Sequence, residues 1–222
     1  METAKKTGRK KQTWTADDIL AAYMERVAAE ATPFKTTVQF CQAAQIPESA
    51  FFEHFGSLED LPHTVWTRFF ENAQTILSND ASFATYSGRD KLLTLYFTLF
   101  EIFALNRGYL LYVLKENKEG LANLAQLRGF RKEFLEYVKT FVSEPSGEAQ
   151  QKWQKYRQPI YAEGAWVQFL FILKFWLDDR SKGFEKTDIL IEKSVNTAAT
   201  LLDTQPLENL FDLGKFLWKE RR

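Results

Sequence analysis

The sequence has few of the residues from which disulfides, metal sites and common catalytic centres are built. It contains one cysteine, Cys41, and two histidines, His54 and His63, among 222 residues. A single thiol excludes an internal disulfide framework, and no metal-ligand spacing is present. Glycine-rich phosphate loops and nucleophile elbows are also missing. We therefore expect no metal, no cofactor and no enzymatic activity.

Long apolar runs are also missing. The most apolar segments, 92–106 and 164–177, are interrupted by Glu101 and Lys174, and each is shorter than a bilayer span requires. The basic N-terminus is not followed by an apolar stretch, so it does not form a signal peptide. These features predict a cytoplasmic protein without a membrane span.

What the chain does have is a large supply of aromatic residues at helical spacing. Aromatic side chains make up 15% of the sequence, including 20 Phe and 6 Trp. Apolar residues recur every three or four positions, and the clearest run is Leu127, Phe130, Phe134, Tyr137 and Phe141. The period-two alternation of strands is not found. The sequence predicts an all-α fold.

Residues 34–61, FKTTVQFCQAAQIPESAFFEHFGSLEDL, have the pattern of a helix-turn-helix. Thr36 or Thr37 can cap a first short helix, Pro47 suits the first turn of a second, and Gly56 can end it. Apolar residues where the two helices cross can form a small core: Phe40, Ala44, Ile46, Phe51 and Phe55. The second helix is predicted to face outward.

This segment resembles the DNA-binding domain of the TetR family of transcriptional regulators. Thr36 matches the family's helix cap, and Phe40-Cys41 matches its apolar-small pair. Three short runs follow in the family's order: Ala44-Gln45-Ile46-Pro47, Phe51-Phe52-Glu53-His54-Phe55 and Gly56-Ser57-Leu58-Glu59-Asp60-Leu61. The resemblance implies a flexible basic arm (1–13), a helix-turn-helix domain (14–60) and a larger helical domain for regulation and dimerisation (61–222).

The resemblance also implies where DNA would bind. The candidate contacts are Lys35, Thr36, Thr37, Glu48, Ser49, Phe52, Glu53, His54 and Ser57. A basic arm can add contacts in the minor groove, and its cations are Lys5, Lys6, Arg9, Lys10 and Lys11. The arm is otherwise a solubilising tail, and both interpretations remain open.

The charge of the small domain argues against strong DNA binding by its body. Between Gln12 and Asp60 there are two basic and eight acidic residues, whereas DNA affinity depends largely on neutralising phosphates. Glu48 and Glu53 can accept hydrogen bonds from cytosine amino groups, or they form a solvated face. The sequence therefore leaves two functions open: a regulator that binds DNA, or a TetR-fold protein that has lost DNA binding and binds a ligand, a lipid or a protein.

In the larger domain the resemblance implies a ligand pocket and a homodimer interface. A small apolar effector of unknown identity would be lined by Phe97, Phe100, Phe103, Tyr112, Phe130, Phe134 and Tyr137. Segments 155–179 and 184–203 would pair across a two-fold axis through Trp166, Phe169, Leu170, Ile191, Val195 and Ala198. Plain monomer core is the alternative for both sets. Asp178-Asp179, beside Arg180, indicates a helix end or solvated charge.

Overall fold

The described part of the protein is entirely helical. The computed structural model describes residues 13–30, 34–116, 125–142 and 148–203, with side chains except at 116, 148–156 and 199–203, and contains no strand within these ranges. The α-helices in chain order are α1 (Ala16–Glu30), α2 (Thr37–Ala44), α3 (Glu48–Phe52), α4 (Asp60–Asn79), α5 (Gly88–Leu105), α6 (Arg107–Leu111), α7 (Arg128–Lys139), α8 (Glu148–Asp178) and α9 (Glu185–Asp203). The predicted all-α fold is confirmed. Residues 1–12 of the basic arm lie outside the described residues, as does the segment after Asp203, where Pro206 can open a further helix.

These helices divide into two compact units. Unit 1 comprises Met1–Val65 with Gly108–Gln126, and unit 2 comprises Trp66–Arg107 with Leu127–Arg222. Helix α4 is continuous, and it contributes its first residues to unit 1 and the rest to unit 2. Unit 1 thus includes a later segment that the sequence assigned to the larger domain. The predicted domain boundaries remain predictions.

Helix starts in unit 1 follow the local capping signals. The backbone N–H of Thr15 donates to the Asp18 carboxylate at 3.0 Å, and the Asp18 N–H donates to the Thr15 hydroxyl at 3.1 Å. This reciprocal pair satisfies two N–H groups that lack helical partners at the start of α1. These hydrogen bonds lower the pKa of Asp18. Thr36 caps α2 through its hydroxyl oxygen, which accepts from the Gln39 N–H at 3.2 Å.

The helix-turn-helix predicted for residues 34–61 is present in unit 1. Helix α2 ends at Ala44, and the left-handed conformation of the next residue, Gln45 (φ 57°), turns the chain towards α3. Phe40 and Phe51 are fully buried, and their ring centroids are 6.1 Å apart in an edge-to-face arrangement. Tyr23 of α1 packs on Phe40 at 5.7 Å. Helix α3 ends at Phe52, three residues earlier than the sequence pattern indicates.

Unit 2 is built around aromatic rings contributed by α4, α5, α7 and α8. Helix α7 packs along α8, and α5 packs against α9. Pro159 lies inside α8 without dividing it. Gly183 lies in the short turn Lys182–Phe184 between α8 and α9, and its φ of 61° is outside the helical range. The residues that follow begin α9.

Within the described residues, one unbroken helical segment has the length and composition of a membrane span, and a pair bent by 92°, Gly88–Leu105 with Arg107–Lys115, passes the same test. Arg157–Asp178 of α8 has a mean hydropathy of 1.2 over its most apolar window, and 39% of that window is buried. A core helix of a soluble protein has the same properties. This segment therefore does not establish a span.

Two glycines of unit 2 provide a matched test of packing. A Cβ on Gly88, at the start of α5, would lie 2.3 Å from the Phe141 carbonyl oxygen, whereas a Cβ on Gly164 in α8 would meet nothing within 4 Å. We expect Gly88→Ala to destabilise the protein by about 2 kcal/mol through overpacking. Gly164→Ala should stabilise it by about 0.5 kcal/mol, since alanine loses less entropy in a helix. Urea unfolding of both variants measures this, and equal effects would contradict the packing of Gly88.

Candidate functional site

The predicted DNA contacts form one group of exposed positions in unit 1, here called the reading face. The sequence placed nine residues there, and all nine are exposed or half-buried: Lys35, Thr36, Thr37, Glu48, Ser49, Phe52, Glu53, His54 and Ser57. They come from the N-terminal end of α2, from α3 and from the turn before α4. Their exposure leaves them accessible to a partner, while their role in DNA binding remains a prediction.

Several polar groups of the reading face already have partners within unit 1. The His54 Nε2 atom lies 2.8 Å from the Trp14 carbonyl oxygen, within hydrogen-bond distance. The Ser57 N–H donates to the Asp60 carboxylate at 2.9 Å, at the start of α4. The hydroxyl of Thr36 is the cap of α2. These contacts hold the short helices in place, and they occupy the Ser57 N–H and a His54 ring nitrogen, which could otherwise donate to a phosphate.

The exposed surface of α3 is acidic and carries one large ring. Glu48 and Glu53 are exposed, and 55% of Phe52 is accessible. Cys41, on the adjacent helix α2, is buried as its packing position predicts. Burial and the nearby negative charge of Glu48 raise the pKa of the Cys41 thiol. This thiol is a packing group and is poorly suited to act as a nucleophile.

The seven predicted pocket residues do not all lie in the same cluster of side chains. Phe100, Phe103, Phe130 and Phe134 lie together in unit 2, and each ring lies 5.2–6.1 Å from the ring of Phe169. Tyr137 contacts Phe70 and Phe141 instead, and Phe97 is half-buried. Tyr112 belongs to unit 1. Four of the seven residues are therefore neighbours in one ring cluster, which we call the aromatic core.

The predicted interface residues differ in how far their side chains are buried. Phe169, Ile191 and Val195 are at most 1% exposed, so their side chains are already covered within the protomer. Trp166 is also buried, while Leu170 and Ala198 are half-buried. Phe169 packs inside the aromatic core because it lies on the inner face of α8. These three fully buried side chains offer no surface to a second chain, and the predicted dimer must use other positions.

Other residues of α8 do present apolar surface, and we call them the outer stripe. They are Ile160, Val167, Phe171 and Phe175, which are 38–64% exposed. Spacings of seven, four and four residues put them on one helical face. The sequence shows the aromatic richness of this helix, but apolar residues lie on both of its faces. Periodicity alone therefore could not separate the inner face from the outer stripe.

A second group that the sequence did not indicate joins α8 to α9. Asp179 is only 5% exposed, and its carboxylate accepts from the N–H and hydroxyl groups of both Ser181 and Thr187 at 2.6–3.0 Å. Burial alone would raise the pKa of Asp179, but these hydrogen bonds outweigh it and lower the pKa to about 2. Of the two interpretations of Asp178-Asp179, the helix end is confirmed because α8 ends at Asp178, and the solvated charge is wrong for Asp179 because its donors replace water.

The Arg107 side chain packs against the C-terminal end of α8. Its guanidinium donates to the carbonyl oxygens of Trp176 and Asp179 at 3.0 Å. It also lies 4.4 Å from the centre of the Trp176 ring and 4.6 Å from that of Phe184. Burial lowers the pKa of Arg107, while Asp179 opposes this shift. Arg107 thus satisfies carbonyl groups that have no partner at a helix C-terminus.

Metal binding has no basis in the described residues. No group of three or more His, Cys, Asp or Glu side chains within them is arranged to hold a metal ion. The sites that remain on the described surface are the reading face and the outer stripe.

Comparison with known proteins gives a family match for the second half of the chain. No curated protein matches the sequence. A family model described as "Tetracyclin repressor-like, C-terminal domain" matches residues 91–217. This region is separate from residues 34–61, on which the resemblance to TetR proteins was based. Because the match covers more than half of the chain, the protein belongs to the TetR family.

Proposed function

We propose that this protein is a one-component transcriptional regulator that binds DNA as a homodimer and responds to a small apolar effector. The observation that carries the proposal is the exposed α2-turn-α3 arrangement of unit 1 in a chain of the TetR family. In helix-turn-helix proteins the second helix enters the major groove. Helix α3 occupies that position here, and the protein is proposed to act in the cytoplasm without catalysing a reaction.

The reading face supports DNA binding through a small number of contacts. Lys35 and Ser49 are exposed and can reach phosphates or bases, and Phe52 can contact a thymine methyl group. Because two basic residues face eight acidic ones between Gln12 and Asp60, phosphate attraction must come mainly from the five cations at positions 5–11. The proposal therefore assigns the arm to DNA.

The outer stripe supports a homodimer. Four large apolar side chains on one helical face are a costly surface for a monomer to leave in water. A second copy of α8 can cover them across a two-fold axis, because such an interface uses the same patch on both partners. Each dimer would then carry two reading faces, one for each half of a palindromic operator.

Binding to DNA from the region upstream of the protein's own gene, measured as a function of salt, tests the proposal. We expect nanomolar-range affinity for a specific site and a steep fall in affinity with salt. Deleting residues 1–12 should flatten the salt dependence, since the deletion removes five cations. No binding at low salt would refute the DNA-binding function.

Neutralising the acidic side chains of α3 tests whether α3 faces DNA. We expect Glu48→Gln combined with Glu53→Gln to raise affinity for non-specific DNA by roughly fivefold at low salt, because repulsion from phosphates falls. Glu185→Gln combined with Glu192→Gln in unit 2 is the matched control, because it also removes two exposed carboxylates. Equal effects of the two changes would show that α3 has no special proximity to DNA.

The excess of acidic over basic residues between Gln12 and Asp60 favours one alternative. In this alternative the chain is a TetR-family protein without DNA binding that serves as a ligand-, lipid- or protein-binding module. In that case the full-length chain and the arm deletion would both fail to bind DNA at any salt concentration. The dimer and the ligand site would be unaffected. Fluorescence anisotropy with labelled DNA therefore separates the two functions.

A further inference from the structure

The point at which the basic arm joins unit 1, here called the arm root (Thr13 and Trp14), lies beside the end of α3. The Nε2 atom of His54, two residues after α3, is 2.8 Å from the carbonyl oxygen of Trp14, although the two residues are 40 positions apart in the sequence. A carbonyl oxygen can only accept a hydrogen bond, so this nitrogen carries the proton and donates. One side chain therefore ties the arm root to the reading face.

The Trp14 carbonyl group receives this donor from outside the helix that it precedes. The hydrogen bonds of α1 begin one residue later, at the carbonyl oxygen of Thr15, which accepts from the Ile19 N–H at 3.1 Å. Trp14 is half-buried, and a carbonyl group that is partly withdrawn from water is stabilised by a donor within the protein. His54 supplies that donor, so its hydrogen bond has a reason that does not involve DNA.

The backbone of His54 is held in place by the turn after α3. Its N–H donates to the Phe51 carbonyl oxygen at 3.0 Å, and the next residue, Phe55, is buried with its ring 5.7 Å from the ring of Phe51. Only the imidazole reaches outward, to Trp14. A neutral imidazole that donates through Nε2 has no second N–H to offer to a phosphate. The ring is therefore engaged by the arm root and is a poor phosphate donor.

The cations of the arm are only a short length of chain away from this root. They stand two to eight positions before Thr13: Lys5, Lys6, Arg9, Lys10 and Lys11. Even a fully extended chain would place them at most about 28 Å from Thr13. The major groove is about 12 Å wide. A DNA segment contacted by α3 would thus be within reach of all five cations, provided that the arm starts beside α3.

We propose that His54 is a positioning residue for the basic arm: its hydrogen bond to Trp14 fixes the arm root beside α3, so that the arm and α3 meet the same stretch of DNA. The inference rests on the proposed function, which assigns the arm to DNA. A segment with a fixed origin loses less conformational freedom when it binds. His54 thus raises DNA affinity through the arm, in place of the direct DNA contact that the family resemblance implies.

A double-mutant cycle with the arm separates positioning from direct contact. The probe is the labelled DNA from the region upstream of the protein's own gene. In the full-length chain, His54→Ala should weaken DNA binding about fivefold, which corresponds to the ordering of roughly one residue of backbone. In the chain without residues 1–12, the same substitution should have no effect, because no cation then depends on the root. A residue that touches DNA itself would show the same loss in both chains.

Two conservative variants and a second histidine sharpen this test. The side-chain amide nitrogen of glutamine lies about as far from the backbone as the Nε2 atom of histidine, whereas that of asparagine corresponds to Nδ1. His54→Gln should therefore keep the affinity of the unaltered chain, and His54→Asn should resemble His54→Ala. His63→Ala is the control, because His63 is also an exposed histidine of unit 1 whose ring faces a backbone carbonyl, that of Gln126 at 3.3 Å. It should leave DNA affinity unchanged.

A measurement without DNA tests the fixed root itself. A nitroxide label on Thr13→Cys reports the mobility of the root through its electron paramagnetic resonance spectrum. Thr13 is exposed, whereas the native Cys41 is buried and burial raises the pKa of its thiol, so the label attaches at position 13. In this labelled protein, His54→Ala should lower the ratio of the ordered to the mobile spectral component about fivefold, as the loss of one net hydrogen bond provides. His54→Gln should leave the ratio unchanged.

The two measurements distinguish failure of this proposal from failure of the proposed function. An equal loss of DNA affinity in the full-length and arm-deleted chains, no loss in either, or equal behaviour of His54→Gln and His54→Asn overturns the positioning role. An unchanged label spectrum in His54→Ala overturns it as well. If the unaltered protein binds no DNA, the proposed function is refuted, and the label spectrum then decides whether His54 fixes the arm root.

Discussion

Phe171→Glu is expected to convert the proposed dimer into a monomer and to weaken binding to a palindromic operator by about a hundredfold or more. Phe171 is 58% exposed near the middle of the outer stripe. Across a two-fold axis, two glutamates would be buried without cations, which costs several kcal/mol. The monomer also loses the gain from linking two half-sites, which is about 10²–10⁴ in affinity.

Sedimentation or light scattering at micromolar concentration measures the oligomeric state, and anisotropy measures the DNA affinity. Lys132→Glu is the control, because Lys132 is an exposed residue of α7 outside the stripe. It should remain dimeric. Far-UV circular dichroism must show an unchanged helical content. A folded Phe171→Glu variant that stays dimeric would exclude the outer stripe as the interface.

The helices and their caps were predictable because their causes are local. The Thr15–Asp18 pair and the Thr36 cap each depend on residues three positions apart, and a sequence displays such spacing directly. Helix α3 is shorter than predicted, since the chain leaves the helix at Glu53 and the His54 ring approaches the Trp14 carbonyl. That contact joins residues forty positions apart, which no local pattern reveals.

The sites depend on which face of a helix is covered, and this is decided by packing. Phe169 and Phe171 are separated by one residue, but the first is fully buried and the second largely exposed. Phe169 was predicted to lie in the interface because both faces of α8 are apolar, so the sequence does not show which face is covered. Likewise, Asp179 follows the exposed Asp178 in the sequence, and only the return of the chain at Thr187 makes it a buried acceptor.

Replacing Asp179 is expected to cause the largest loss of stability among single substitutions in the described polar network. In Asp179→Asn, an amide NH₂ takes the place of one carboxylate oxygen that accepts from two donors. Repulsion between these donors, and the loss of charge-assisted hydrogen bonds, should cost about 3 kcal/mol at pH 7. Asp178→Asn is the control and should cost less than about 1 kcal/mol, because Asp178 is exposed.

The pH dependence of this difference identifies the carboxylate as the cause. The pKa of Asp179 is about 2 in the folded protein, compared with 3.8 as its ordinary value. The unfolded chain therefore takes up the proton first as the pH falls. The stabilisation is complete above about pH 5 and is lost as the pH falls from about 4 to 2, by roughly 2 kcal/mol in total.

Urea unfolding of the unaltered protein and Asp179→Asn at pH 7, 4 and 2.5, at one protein concentration, measures this change. Other carboxylates titrate in both proteins and cancel in the difference. The stability gap should therefore narrow as the pH falls, because only the unaltered protein loses the Asp179 contribution. A gap that stays constant across this range would show that the pKa of Asp179 is the same in the folded and the unfolded chain, and its four hydrogen bonds would then need another explanation.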